Sequence, residues 1–243
     1  MSVSVADAAL AHLESLTRQS TPCTEELQQI NESLRRREAL LVASAKASRM
    51  LLEAPDVRGT IPEVLRLMGD AAHVDRVNVM LARSGPQGEP LLVVVSEGTA
   101  DGVPPHIDDP SVCTCDERQF SAVSAELRAG RSVCLNKCDT PVTYAGVAGF
   151  EGIGTKTKAI VPIFVAGEFI GVVGFDNTRQ RRAIDSAELA ALENAAGVIG
   201  AALHRQRLID DMRRERERAA EERVAELAKA NAVIRGNLER LAS

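Results

Sequence analysis

Residues 156–176 read Lys156-Thr-Lys-Ala-Ile-Val-Pro-Ile-Phe-Val-Ala-Gly-Glu-Phe-Ile-Gly-Val-Val-Gly-Phe-Asp176, and the fold turns on how this stretch is parsed. The run from Ala159 to Phe175 is the longest apolar one in the chain, and Pro162, Gly167 and Glu168 interrupt it. A membrane-spanning helix needs roughly 20 mostly apolar residues, so the run divides instead into two strands, about 157–165 and 168–175, joined at Ala166-Gly167. Both strands are apolar on both faces, which places them in the middle of a sheet covered on each side.

Working outward toward the C-terminus, Asp185 is a good N-cap and Glu188 stands at the capping-box position behind it. A helix is expected from Ser186 to the end of the chain, weakened but not broken by Gly197, Gly200 and Gly236. Its first part, to about Leu203, is rich in Ala and apolar residues and suits packing on the sheet; the rest is charged and leaves the domain. Toward the N-terminus, Arg131–Leu135 reads as a short strand and 119–129 as a short helix ending at Gly130. Residues 99–118 and 136–155 read as irregular loops, the second with a helix near 145–152. Val77–Ala82 and Leu91–Val95 form a hairpin about the Gly-Pro-Gln-Gly turn at 85–88. Thr60 and Glu63 have capping-box spacing ahead of a helix over 61–72. Ser20-Thr21-Pro22 breaks a short helix at 5–18 from a longer one that runs from Thr21 as N-cap to about Glu53, striped by Leu27, Ile30, Leu34, Leu41 and Leu51.

Composition excludes several classes. There is no Trp, one Tyr and five Phe, so the core is built from Leu, Val, Ile and Ala, and a base-stacking nucleic-acid surface has little to draw on. Net charge is −5, and the Arg-rich run 213–218 alternates with Glu as a solvated helix face does. The polar N-terminus lacks a signal-peptide pattern, and the odd cysteine count of five suits reduced thiols in a cytoplasm. No P-loop glycine motif and no phosphoacceptor-type histidine occurs. We therefore expect a cytoplasmic, non-catalytic protein with no nucleic-acid partner and no membrane insertion.

The 156–176 stretch resembles the last hairpin of GAF domains, where a Val-Pro-Ile strand, a Gly turn and an Ile-Gly-Val strand recur, and Asp185-Ser-Ala-Glu188 with Leu189, Leu192, Ala196, Ile199 and Ala202 is similar to that family's last helix. The resemblance covers about residues 38–205. It implies an α/β (α+β) fold: a GAF/PAS-like antiparallel sheet with helices on one face and a ligand pocket on the other, flanked here by long helices. Three segments follow, a helical arm over 1–37, the sensory domain over 38–205 and a coiled-coil helix over 206–243. The resemblance also implies a bacterial signalling module that binds a small ligand or senses redox state. Cyclic-nucleotide-binding and bilin-binding members carry motifs that this chain lacks: Asn177-Thr178 replaces the Asn-Lys pair of the first, and no Cys-His pair marks the second. The alternatives are a passive dimerising link and a GAF-fold thiol reductase acting on free methionine sulfoxide.

Candidate pocket residues are Cys134, Tyr144, Phe150 and Ile160. Four of the five cysteines, Cys113, Cys115, Cys134 and Cys138, fall within twenty-six residues in segments that the resemblance puts beside the pocket; Cys23 lies apart. These four could bind zinc, hold an iron–sulfur cluster, switch between thiol and disulfide, or do none of these; the cofactor is left unknown. Past the domain, Val224, Leu227, Asn231, Ile234, Leu238 and Leu241 follow a 3-4-3-4-3 spacing, with a lone Asn at an a position. That pattern predicts a parallel homodimer in fixed register, passing a signal to an output domain outside this chain or to a separate effector.

Overall fold

The structure is a computed structural model that describes the backbone of residues 5–136, 154–182 and 184–241. Two compact units divide the chain, one up to Gly200 and one from Ala201 onward. In order, the elements are α1 (Val5–Glu53), α2 (Val57–Ala72), β1 (Arg76–Ser84), β2 (Pro90–Thr99), β3 (Thr114–Asp116), a 3-10 turn at Glu117–Phe120, α3 (Ser121–Arg128), β4 (Val133–Asn136), β5 (Thr157–Val165), β6 (Glu168–Asn177) and α4 (Ser186–Leu241). The six strands form one sheet in the order β3-β2-β1-β6-β5-β4, with every adjacent pair antiparallel. The expected architecture, an antiparallel sheet with flanking helices and a long C-terminal helix, is the one observed.

The Lys156–Asp176 stretch supplies β5 and all but the last residue of β6, and both strands lie inside the sheet as their two-sided apolarity requires. On one face Val77, Val79, Val161, Ile163, Val173 and Phe175 are fully buried, each contributing about 1.5–3 kcal/mol by leaving water. Helix α2 packs against β1 and β2 there. The start of α4 comes so close to β5 that a Cβ on Gly200 would sit 2.2 Å from Ile163 Cγ2, so the glycine that weakens the helix also lets it approach.

Three boundaries differ from expectation. Helix α2 begins at Val57 with Asp56 as N-cap, its side chain accepting from Arg58 N at 3.0 Å. The proposed cap, Thr60, instead donates its hydroxyl to Asp56 O at 2.9 Å, and Pro62 lies inside the helix. The added turn puts Val57 on the same buried face as Ile61, Val64, Leu65 and Met68, and that burial outweighs the hydrogen bond Pro62 cannot make. Helix α1 is continuous across Ser20-Thr21-Pro22, because one missing donor removes a single rung from a 49-residue ladder. Its buried face is Leu40, Ala43, Ala47 and Leu51, whereas Leu27, Ile30, Leu34 and Leu41 are exposed. Finally, the segment read as loop over 99–118 contains β3, whose three residues pair with Leu91–Val93; a strand that short has no readable period. The helix expected near 145–152 lies outside the described residues.

Candidate functional site

The second face of the sheet is built from alternate residues of the same strands. In β1 the sequence Arg76-Val-Asn-Val-Met80 sends Arg76, Asn78 and Met80 to this face while Val77 and Val79 face the helices. Arg76 is the cross-strand partner of Asp176, and Asp176 of Lys158, so three charged side chains stand in one row across β1, β6 and β5. The next row is Asn78, Gly174 and Ile160, and beyond it Met80 pairs with Val172. A Cβ at Gly174 would sit 2.6 Å from Asn78 Oδ1. Glycine there gives the amide room to lie across the strand.

A register shift brings in one further charge. The pairing of β1 with β2 slips between Val79 and Met80, leaving Val95 without an opposite residue. Strict alternation would put Glu97 on the face opposite Val94; the bulge reverses the parity. Both Val94 and Glu97 therefore serve this face. Arg76 Nε lies 3.0 Å from Glu97 Oε1, Arg76 Nη1 3.7 Å from Asp176 Oδ2 and Lys158 Nζ 3.3 Å from Asp176 Oδ1. Arg76 Nη2 also donates to Pro104 O at 2.9 Å. Glu97 Oε2 accepts from the backbone N–H of His106 at 2.6 Å and of Ile107 at 3.1 Å, which ties the β2–β3 connection down over the row.

These groups are buried together. Burial raises the Glu97 pKa above the usual carboxylate value, against the pull of the two backbone donors and Arg76. His106 is driven the other way, to about 4, by burial first and by the neighbouring Arg76 cation second. At neutral pH its imidazole is uncharged.

Above the two rows lies a cavity of about 50 Å³. Its polar end is Asn78, Lys158 and His106; its sheet floor is Met80, Leu92, Val94, Ile160, Val172 and Gly174. Val112, Cys115, Phe120 and Leu127 complete the described lining. The last two belong to the segment of the 3-10 turn and α3, whose position is fixed by a buried carboxylate. Glu117 receives Arg128 Nη2 at 2.7 Å and Nε at 2.8 Å together with the Ser124 hydroxyl. Arg128 also lies 4.8 Å from the centre of the Phe169 ring.

The residues expected at the site fare differently. Ile160 lines the cavity. Cys134 does not: Val133 and Leu135 on either side of it take the inward positions in the apolar cluster under the cavity, so strand alternation sends its sulfur to the other face. That sulfur is solvent-accessible, and its pKa is raised by partial desolvation first and then by Glu188 and Glu193. Cys115, placed only in the metal or redox set, does line the cavity, and burial raises its thiol pKa. Cys115 lies in edge strand β3 with Cys113 just before it, and Cys134 lies in the other edge strand, β4, with its side chain on the face away from the cavity. No cluster of three or more His, Cys, Asp or Glu able to hold a metal occurs among the described residues. Tyr144, Phe150 and Cys138 lie outside the described residues. Val224, Leu227, Asn231 and Ile234 are exposed; Leu238 and Leu241 lie in α4 with side chains outside the described set.

Sequence reasoning missed Arg76, Asn78, Glu97, His106, Lys158 and Asp176. The signal available was Lys158 and Asp176 at the paired ends of an otherwise apolar hairpin, together with the polar residues alternating into β1.

An antiparallel sheet with helices on one face and a polar-ended cavity on the other defines a GAF-type α/β domain. The family model described as GAF domain matches residues 56–203, and the chain belongs to that family. It is 31% identical over 208 residues to a methanogenesis regulatory histidine kinase, FilI, of Methanothrix harundinacea (strain 6Ac), covering 85% of this chain and 23% of that protein. The chain thus spans about a quarter of that relative's length. Among solved structures it is similar in fold to the phycocyanobilin-bound GAF domain of a cyanobacterial phytochrome (TM-score 0.58, 15% identity, 70% of this chain and 96% of that one). It is also similar to the free methionine-R-sulfoxide reductase of Neisseria meningitidis (TM-score 0.53, 14% identity, 73% and 93%) and to the A. aeolicus nlh2 GAF domain (TM-score 0.52, 14% identity, 71% and 99%). No helix among the described residues is long and apolar enough to cross a membrane.

Proposed function

We propose that this chain is a non-catalytic cytoplasmic sensory module that binds a small molecule in the cavity and conveys occupancy through its flanking helices to a signalling output. The sensory body would be residues 38–205, with 1–37 and 206–243 as the transmitting arms. The observation that carries this reading is the cavity itself, floored by an apolar sheet and closed at one end by buried polar groups. A passive link needs no such polar end, since burying it costs free energy that a solid apolar core would avoid. The regulatory histidine kinase relative supports placement in a signalling chain.

The reductase reading is weaker. A thiolate nucleophile needs a lowered pKa, whereas that of Cys115 is raised by burial. A resolving thiol must also reach it; Cys134 faces away from the cavity, which leaves Cys113, two residues from Cys115, as the described candidate.

The test is a thermal-shift screen of the full chain against a metabolite library, run beside Val94→Phe, which fills the apolar end of the cavity. At least one compound is expected to raise the Tm of the natural chain by several degrees while leaving the variant unmoved. A library with no hit on the natural chain would count for the passive link; thiol-dependent turnover of methionine sulfoxide would establish the enzyme instead.

A further inference from the structure

The polar end of the cavity restricts what could occupy it. Arg76 and Lys158 bring two positive charges, Glu97 and Asp176 two negative ones, and every charge meets an opposite one at 3.0, 3.3 or 3.7 Å. The Glu97 carboxylate accepts from the backbone N–H groups of His106 and Ile107 and faces the Arg76 guanidinium. The quartet sums to zero. Among the described residues, a charged ligand leaving water would find no uncompensated opposite charge here.

Arg76 Nε and Nη1, Glu97 Oε1 and Asp176 Oδ1 make no hydrogen bond among the described residues, but each faces an opposite charge; Asn78 has no counterion. It is 4% exposed, it lines the cavity, and its Oδ1 has no hydrogen-bond partner among the described residues. A carboxamide presents an acceptor oxygen and a donor nitrogen on one carbon, so its natural complement carries a donor and an acceptor side by side. Lys158 faces the same cavity, and of its three N–H groups not all are taken by the Asp176 contacts at 3.3 and 3.5 Å. Opposite this end the floor is Met80, Val94 and Val172, purely apolar. The volume of about 50 Å³ is a few times the roughly 10–15 Å³ that one water needs, room for only a handful of non-hydrogen atoms.

We propose that the cavity selects a small uncharged molecule with a short aliphatic body and a primary-carboxamide-type head, the head paired with Asn78 and Lys158 and the body against Met80, Val94 and Val172. This rests on the sensory reading above and adds to it the class of ligand.

The test is calorimetric titration of the full chain with three near-isosteric probes at neutral pH: isobutyramide, isobutyrate and isobutylamine. The amide is expected to bind at least about tenfold more tightly than either ion. Asn78→Leu, close in volume, is expected to erase that preference. Should Asn78→Leu fail to fold, Val94→Phe provides the second variant, expected to abolish amide binding from the opposite end of the cavity. Tighter binding of isobutyrate or isobutylamine overturns the ligand class but leaves a ligand-binding pocket. Failure of all three at about 10 mM also overturns the class, and the sensory reading then stands or falls on the library screen alone.

Discussion

His106 shows most plainly how the site's chemistry enters the stability of the domain. Its pKa falls from 6.5 to about 4 through burial and the Arg76 cation, with Lys158 pushing the same way and Asp176 and Asp109 opposing. Between those two values the unfolded chain holds a proton that the folded chain does not. Stability therefore falls as pH drops from about 6.5 toward 4, by roughly 2–3 kcal/mol in all. Glu97 works in the opposite sense, because its raised pKa makes the folded state bind a proton first. Comparing urea unfolding of the natural chain with His106→Asn at several pH values isolates the histidine. The variant is expected to lose most of the acid-side slope, and parallel curves would contradict the assignment. Gly174 provides a second residue-scale test. A methyl group there meets Asn78 Oδ1 at 2.6 Å, so Gly174→Ala is expected to destabilise by about 1–3 kcal/mol and to weaken any ligand that uses the amide. An unchanged Tm would show that the amide has somewhere else to go.

Among the elements, α4 is held at its start by one side chain. Asp185 Oδ1 accepts from Ala187 N at 3.0 Å and Glu188 N at 2.7 Å, while Oδ2 accepts from the Ser33 hydroxyl of α1 at 2.6 Å. Asp185→Ala is expected to cost about 1–2 kcal/mol in chemical denaturation, and Asp185→Asn, which can still cap, distinctly less; equal losses would argue against the cap. This cap was legible in the sequence, as was the β5–β6 hairpin, because each depends on a local pattern. Glu188 was read as the reciprocal half of a capping box, yet its carboxylate takes Arg182 at 2.6 Å, a partner no spacing rule selects. The polar end of the cavity was illegible for a related reason. Arg76, Asp176 and Lys158 meet only once the strand register is set, and Glu97 joins them only through a bulge that reverses its face. Cys134 went astray by the same parity: a shift of one residue along β4 moves a side chain to the opposite face.

At the scale of the whole molecule, the account requires that the helices beyond the domain pair. Val224, Leu227 and Ile234 are exposed at 66%, 65% and 55%, large apolar side chains on coiled-coil spacing. Sedimentation at micromolar concentration is expected to show a dimer. Asn231→Val is expected to tighten it while relaxing its register, and a monomeric natural chain would remove the transmitting element. The central claim is that filling the cavity alters that element. Its most direct test is hydrogen–deuterium exchange of the full chain with and without a compound that stabilises it, read in peptides covering 206–241 and repeated with Val94→Phe. The account expects ligand to change exchange in those peptides as well as around the cavity, and expects no change in the variant. Protection confined to the cavity peptides, with 206–241 unaffected, would contradict it.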